Sequence, residues 1–387
     1  MQLTGLSVRN FRSWVEFSIA LEPGVTVFLG PNGQGKTNLV EAIGYIATLS
    51  SHRVASDTPL IKHGTDQARI QVGIRDIHES ERINKVEVSL APGRSAGALV
   101  NGNKPQRTRD ILGLLRTVLF APEDLALVKG DPSERRRFLD ELLVARYPRY
   151  AAVMADYSRI IKQRSSLLKT APTAVRNPSA RESLHNTLDV WDEQCAMHGA
   201  RLIAGRLETL DMLRGPAVSR HDWLTSGGAQ LQLNYQAASA ATATVIGEGR
   251  PSEALLQESL REDLRLRRDD EIRRGVTLVG PQRDDIAIGL GELPAKGYAS
   301  HGESWSIALA LRLGSFDVLR EQYTSDPVLI LDDVFAELDT ARRKHLTEAV
   351  QGVEQVIITA AVQEDVPAEL LTRCIAITRE IPEGFPA

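Results

Sequence analysis

The stretch Gly30-Pro31-Asn32-Gly33-Gln34-Gly35-Lys36-Thr37 constrains the fold of this chain more than any other. It follows an apolar, β-branched run, Val25-Thr26-Val27-Phe28-Leu29, and precedes Asn38-Leu39-Val40-Glu41-Ala42-Ile43-Gly44-Tyr45-Ile46, whose apolar residues recur at helical spacing. A strand, a glycine-rich loop and a helix in that order form a phosphate-binding loop. In such a loop successive backbone N–H groups converge on a β-phosphate at a helix N-terminus. Lys36 reaches the β- and γ-phosphates, and the Thr37 hydroxyl ligates Mg2+.

The second half of the expected chemistry lies far downstream. Asp326-Pro327 leads into Val328-Leu329-Ile330-Leu331, an apolar strand that ends in Asp332-Asp333. Two carboxylates at the C-terminal end of a buried strand are placed for Mg2+ coordination and for activating water. Before them, Ser300-His301-Gly302-Glu303 opens a helix through Trp305, Ile307, Leu309 and Leu311. A Ser hydroxyl with a Gly backbone at a helix start is either an anion-binding element suited to a γ-phosphate or an ordinary N-cap, and the tetrapeptide alone does not decide.

A chain of 387 residues is long enough for two lobes. Its 25% charged and 5% aromatic residues suit a globular protein, and its net charge of -4 excludes a uniformly basic nucleic-acid binder without excluding a local basic face. Cys195 and Cys374 lack the spacing of a zinc site or a disulfide scaffold, which fits a reducing cytoplasm. No signal peptide and no apolar run of membrane-spanning length is visible, which excludes a membrane transporter chain but not a soluble ATPase serving one; no membrane is expected among the partners.

Along the chain, strands are predicted at residues 3–10 and 15–19, then at 68–74, 85–90 and 98–100 as an antiparallel sheet, and at 115–120. Asp131-Pro132-Ser133-Glu134 reads as a helix start with a capping box, followed by Arg135-Arg136-Arg137. Those arginines are read either as a solvated face or as a contact with nucleotide, DNA or a neighbouring subunit. Residues 147–212 are dominated by helical patterns interrupted at Thr170-Ala171-Pro172-Thr173 and Asn177-Pro178-Ser179, which predicts two helices packed as a short antiparallel arm. A strand is predicted at 231–235, residues 237–244 carry no pattern, and residues 253–274 form a charged helix of alternating sign. That alternation favours a solvated face over a DNA track.

With these pieces in order, the chain resembles ABC-type ATPases of the SMC and Rad50 class and, within them, the RecF family. The resemblance rests on Val8-Arg9-Asn10-Phe11-Arg12, the loop ending in Lys36-Thr37, and Phe120-Ala121-Pro122-Glu123-Asp124-Leu125. It rests further on Pro132-Ser133-Glu134-Arg135-Arg136-Arg137-Phe138-Leu139-Asp140, Gly280-Pro281-Gln282-Arg283-Asp284-Asp285, the Ser300 tetrapeptide and Leu331-Asp332-Asp333-Val334-Phe335-Ala336-Glu337-Leu338-Asp339. It implies an α/β fold: an ABC-type ATPase head with a mixed nucleotide-binding sheet, an adjoining antiparallel sheet and a short helical arm. The expected division is 1–145 and 276–387 for the two parts of the head and 146–275 for the arm.

The same resemblance implies ATP as the nucleotide, with Mg2+, and two heads that face each other. Ser300 and Gly302 would then touch the γ-phosphate held at Lys36 of the other copy. Asp332 would support Mg2+, Asp333 would polarise the attacking water, Asp339 would border the dimer interface, and Arg12 is a candidate for phosphate contact. Asp333 stands where most relatives of this class carry Glu, no Gln-bearing strand end is visible, and Thr359-Ala360-Ala361 replaces a catalytic His, so slow hydrolysis is expected. The implied function is a DNA-binding recombination mediator at gaps or single-strand/double-strand junctions, working with RecO and RecR to load RecA recombinase, with consequences for replication restart and the SOS response. The rival reading is a nucleotide-dependent protein scaffold that touches DNA weakly.

Overall fold

The protein is described by a computed structural model covering residues 1–76, 80–174 and 178–378. In chain order its strands are β1 (Gln2–Phe11), β2 (Trp14–Ala20), β3 (Gly24–Leu29), β4 (Ala68–Asp76), β5 (Ser80–Leu90), β6 (Gly97–Val100), β7 (Thr117–Phe120), β8 (Leu231–Gln236), β9 (Asp285–Leu290), β10 (Leu293–Pro294), β11 (Val328–Asp332), β12 (Gln355–Ala360) and β13 (Cys374–Ala376). Its α-helices are α1 (Lys36–Thr48), α2 (Ala126–Lys129), α3 (Pro132–Arg146), α4 (Tyr150–Ala174), α5 (Pro178–Thr225), α6 (Ala240–Gly247), α7 (Glu253–Arg274), α8 (Ala295–Tyr298), α9 (His301–Gln322) and α10 (Thr340–Val350).

These elements pack as two compact units. One comprises residues 1–129, 215–231 and 297–387, the other 130–214 and 232–296. The chain thus passes between the units after residues 129, 214, 231 and 296, and α3 goes with the second unit, where the sequence reading divides the chain near 145 and 275. The reason is local: α3 contributes Leu143 to a cluster with Tyr150, Tyr157 and Leu202, all of the second unit.

In the first unit two sheets share one helix. The antiparallel sheet runs β2-β1-β4-β5-β6 and the other runs β13-β3-β12-β11-β7. The sequence predicts a mixed nucleotide-binding sheet, but all four of its pairings are parallel. The antiparallel strands β1 and β2 pair with each other and with β4 instead of entering it. Helix α1 packs against β1 and β4 on one side and β7, β11 and β12 on the other. It therefore buries Leu39, Val40, Ala42, Ile43, Tyr45 and Ile46 around its whole circumference. At roughly 1.5–3 kcal/mol for each large apolar side chain, this burial is what holds the loop before α1 against the sheet.

In the second unit β10-β9-β8 form a small sheet, and α4, α5 and α7 supply the arm. Its core gathers Ile160, Cys195, Ile203, Leu256, Leu260 and Leu264. Helix α7 begins at the Ser252 cap, whose side chain accepts from the Leu255 N–H, and ends at Gly275 in the left-handed conformation. The interruption expected at 170–173 is absent from the backbone, since α4 continues to Ala174. The second expected interruption lies partly outside the described residues.

Other expectations are corrected at α3. Asp131 holds the N-cap position but makes no side-chain cap, and the Glu134 carboxylate accepts from Arg137 at 2.6 Å rather than closing a box. The three arginines are used inside the second unit or on its surface. Arg135 makes a two-pronged bond to Asp285, 2.8 Å in each prong, and Arg136 donates to the Asp284 carbonyl at 2.6 Å. The Gly280 motif is likewise a structural knot: Arg206 donates to Asp140 and to the Pro281 carbonyl, and Tyr235 donates to Asp284. Residues 237–244, without pattern in the sequence, contain the start of α6. The N–H groups of its second and third residues, Ala241 and Thr242, donate to the Asp263 carboxylate of α7 at 3.0 Å each, a cap supplied from another helix.

Candidate functional site

The parallel register brings the C-terminal ends of β3, β11 and β12 level. Asp332 pairs with Thr359, and Thr359 with Phe28, two residues before the loop opens at Gly30. Ligands of parallel sheets bind outside these strand ends. The loop backbone is shaped by Gly33 at φ 83° and Gly35 at φ 99°. A side chain at Gly35 would also meet Ser13 Oγ and Trp14 Nε1, each at 2.8 Å, so this position admits only glycine. Trp14 donates from Nε1 to the Gly35 carbonyl at 3.1 Å, and Asn38 donates to Ser13 Oγ at 2.8 Å. The β1–β2 turn thus grips the loop from one side. Lys36 is 3% exposed and folds over the loop, donating to the Gly30 carbonyl at 2.7 Å, with Pro31 O and Asn32 Oδ1 each at 3.4 Å.

Thr37 meets the carboxylate that the sequence places nearly 300 positions away. Its hydroxyl donates to Asp332 Oδ1 at 3.1 Å, and Thr359 Oγ1 donates to the same oxygen at 2.6 Å. Burial pushes the Asp332 carboxyl up to about 6. The hydroxyl of Thr359 works against that rise and the neighbouring Asp333 charge adds to it. A buried carboxylate beside a hydroxyl oxygen is a hard-oxygen donor pair short of positive charge, which fits Mg2+ completed by phosphate oxygens and water. Asp333 has φ 52°, a left-handed conformation uncommon for a residue with a side chain, and its N–H donates to Thr359 Oγ1 at 2.9 Å. Thr359 therefore braces both aspartates.

Arg12 also sits at φ 54°. Its guanidinium is committed to Glu41 of α1, at 2.8 and 2.5 Å, and to the Pro59 carbonyl at 3.1 Å. Burial alone would raise the Glu41 carboxyl; the hydrogen bonds from Arg12 and Ser51 overcome it and hold the group below the usual range. Beside this pair opens a cleft of about 510 Å3 lined by Arg12, Ser13, Asn38, Pro59, Lys62 and His63 among others.

Ser300 caps α9 with a reciprocal box: its Oγ accepts from the Glu303 N–H at 3.2 Å, and the Glu303 carboxylate accepts from the Ser300 N–H at 2.8 Å. Trp305 anchors the helix, edge-on to Phe120 at 5.5 Å between ring centres. The hydrogen bonds of Ser300 stay within its own helix start, and Gly302 lies under the Arg342 guanidinium. So Lys36, Thr37 and Asp332 form one cluster, while Ser300 and Gly302 belong to a second one with Asp339 and Arg342.

Comparison with known proteins gives the family and the fold. The family model of the RecF/RecN/SMC N-terminal domain matches residues 2–380. A DNA replication and repair protein RecF of Streptomyces avermitilis is 54% identical over 370 residues, 96% of each chain, and one of Frankia alni is 51% identical over 382 residues, 98% of this chain and 99% of that one. The chain belongs to the RecF family. Among solved structures, a RecF–ATP structure, described as the recombination mediator protein of the RecFOR pathway, superimposes with a TM-score of 0.86 at 29% identity over 98% of this chain and 96% of that one. The Smc head domain of Pyrococcus furiosus, at 16% identity and a TM-score of 0.52 over 98% of this chain and 94% of that one, shows the shared head fold.

Several site residues escape a reading of motifs. Thr359, Glu41, Ser13, Trp14 and Asn38 hold the named groups in place but belong to no fixed spacing. That Thr359 stands near the end of an apolar run, Gln355–Ala360, is visible in the sequence; its hydrogen bonds to both aspartates are not.

Proposed function

We propose that this chain is a RecF-type recombination mediator that works by ATP-driven pairing of two copies on DNA. The observation that carries the reading is the Thr37 hydroxyl on Asp332, which joins the phosphate loop to a buried carboxylate in a chain of RecF fold. Binding and hydrolysis of ATP follow from that pairing. Loop N–H groups from Gly30 to Thr37 cradle the phosphates, Lys36 leaves the loop carbonyls for the β- and γ-oxygens, and the base and ribose take the cleft beside Ser13 and Asn38. Thr37 and Asp332 would hold Mg2+, which when bound neutralises charge on the phosphate oxygens. Asp333, fixed by the Thr359 hydroxyl, orients water. Its side chain is short and no imidazole stands at Thr359, so hydrolysis is slow and acts as a timer.

Ser300 and Gly302 complete the site of a second copy, so ATP stabilises the pair and hydrolysis releases it. DNA at gaps or junctions is gripped by the paired state, and RecO, RecR and RecA recombinase are its partners. Sedimentation with ATP, with ADP and without nucleotide tests this reading. Lys36→Met should lose nucleotide binding, and Ser300→Arg should bind ATP yet stay monomeric. A Ser300→Arg protein that pairs with normal affinity would remove the composite site. Among the described residues no helix is long and apolar enough to cross a membrane.

A further inference from the structure

The capping box at Ser300 creates an electrostatic difficulty for the proposed composite site, and the role assigned to Arg342 below rests on that site. Glu303 places an exposed carboxylate at the helix start that the partner's terminal phosphate must approach. Like charges at that range repel, and the dipole of a helix end offsets only part of a full charge. A cation is needed beside α9, and one is built in from the segment after the strand-end carboxylates.

Arg342 lies in the first turn of α10. Its Nε donates to Ser306 Oγ of α9 at 2.7 Å, and its Nη1 pairs with Asp339. Asp339 also caps α10 by accepting from the Arg342 N–H at 2.9 Å. Two anchors on different elements fix the guanidinium plane, so little side-chain entropy remains to be lost when a ligand arrives. The plane lies over the second residue of α9: a Cβ added at Gly302 would stand 3.2 Å from Nη2, 3.3 Å from Nη1 and 3.5 Å from Cζ. The glycine is what lets the charge approach the helix start. Nη2 makes no hydrogen bond among the described residues, and the side chain keeps 21% of its exposure. Arg342 also helps to hold the Glu303 carboxyl below its ordinary range, after the larger effect of the Ser300 hydrogen bonds.

We infer that Arg342 completes the anion site at the start of α9, its Nη2 N–H groups binding the terminal phosphate of the nucleotide seated on a second copy's loop. Asp339 then serves to hold this arginine and to tie the Asp332-Asp333 strand end to α9 within one copy. Arg342 makes no contact with the nucleotide on its own loop.

The test compares Arg342→Gln, Arg342→Lys and Ser300→Arg for three quantities: binding of a fluorescent ATP analogue at protein concentrations below pairing, the ATP-dependent pairing constant from light scattering, and Tm without nucleotide. Arg342→Gln should bind the analogue within about twofold of wild type but pair about tenfold or more weakly, the loss of a charge-assisted hydrogen bond. Arg342→Lys should recover part of the pairing because it keeps the charge. Pairing by Arg342→Gln within about twofold of wild type overturns the inference, as does a pairing loss that tracks a fall in Tm with no recovery in Arg342→Lys. If Arg342→Gln does not fold, Arg342→Lys and Ser306→Ala decide, since both keep the cation while loosening its anchors; each should pair more weakly than wild type at unchanged analogue binding, and normal pairing by both overturns the inference. Normal pairing by Ser300→Arg would instead remove the composite site itself; blocked pairing there with normal pairing in Arg342→Gln removes only the arginine's role.

Discussion

At Asp332 the proposed role in holding Mg2+ opposes the stability of the fold. Its carboxyl is 2% exposed, accepts from two threonine hydroxyls and lies next to Asp333, so without a cation its ionised form is costly. The pKa of about 6 in the fold stands above the ordinary aspartate value near 3.9. The folded protein therefore binds the proton more tightly than the unfolded chain, and stability falls as pH rises from about 4 through about 6. Asp332→Asn should raise stability at pH 7.5, without nucleotide or Mg2+, by roughly 1–3 kcal/mol. The gain should vanish below pH 4, where the wild-type group is itself neutral, and ATP hydrolysis should be lost at every pH. Urea denaturation at the two pH values checks it, and an Asn variant less stable than wild type at pH 7.5 would mean that the buried charge is already compensated. The loop and this carboxylate are legible in the sequence because each is a contiguous motif with its own geometry. Glu41, Thr359 and Arg342 are not, since what they do depends on partners 29, 27 and 36 positions away.

Helices α4, α5 and α7 meet at Arg164, which has no exposed surface. It donates to Asp192 of α5 at 2.7 Å, to Glu271 of α7 at 2.5 Å and to Thr277 at 3.1 Å. Glu271 is equally buried and also accepts from the Leu278 N–H at 2.6 Å. Arg164→Ala strands a buried carboxylate and should cost about 3–5 kcal/mol. Arg164→Ala combined with Glu271→Ala should cost less than the sum of the two single changes, a coupling that a double-mutant cycle by denaturant unfolding measures. Equal and additive losses would mean that the three helices are held by apolar packing alone. The charged residues of α7 are legible as a helix, and its observed limits are the 253–274 that the sequence predicts. Their inward partners are not legible, because alternating sign along a helix looks the same whether it faces water or a neighbouring helix. The helical pattern is predicted to end at residue 212, and Gly215-Pro216 is a breaking pair, yet α5 runs to Thr225 with Pro216 inside. The approach of Gly314 in α9 explains the tolerance in part: a Cβ there would stand 2.8 Å from the Ala217 backbone nitrogen, so tight packing against α9 holds this turn in helical form.

For the protein as a whole, a net charge of -4 means that any grip on DNA comes from a local face, and the proposed pairing predicts how that grip depends on salt. Between positions 80 and 111 β5, β6 and the following turn carry Arg82, Lys85, Arg94, Lys104, Arg107 and Arg109 against Glu81, Glu87 and Asp110, and Glu87 is paired with Arg69 at 3.3 Å. Each phosphate neutralised releases counterions, so the logarithm of the binding constant falls linearly with the logarithm of salt, with a slope near -0.9 for each contact on duplex DNA. If one DNA molecule is held by two equivalent copies only in the ATP state, the number of phosphate contacts doubles on pairing. The slope measured with a nonhydrolysable ATP analogue should then be about twice that measured with ADP, on the same gapped duplex and over the same salt range. A protein scaffold that touches DNA weakly would show shallow, equal slopes in both states. A steep slope that does not change with nucleotide would mean that each copy holds DNA alone, and that ATP controls something other than the grip.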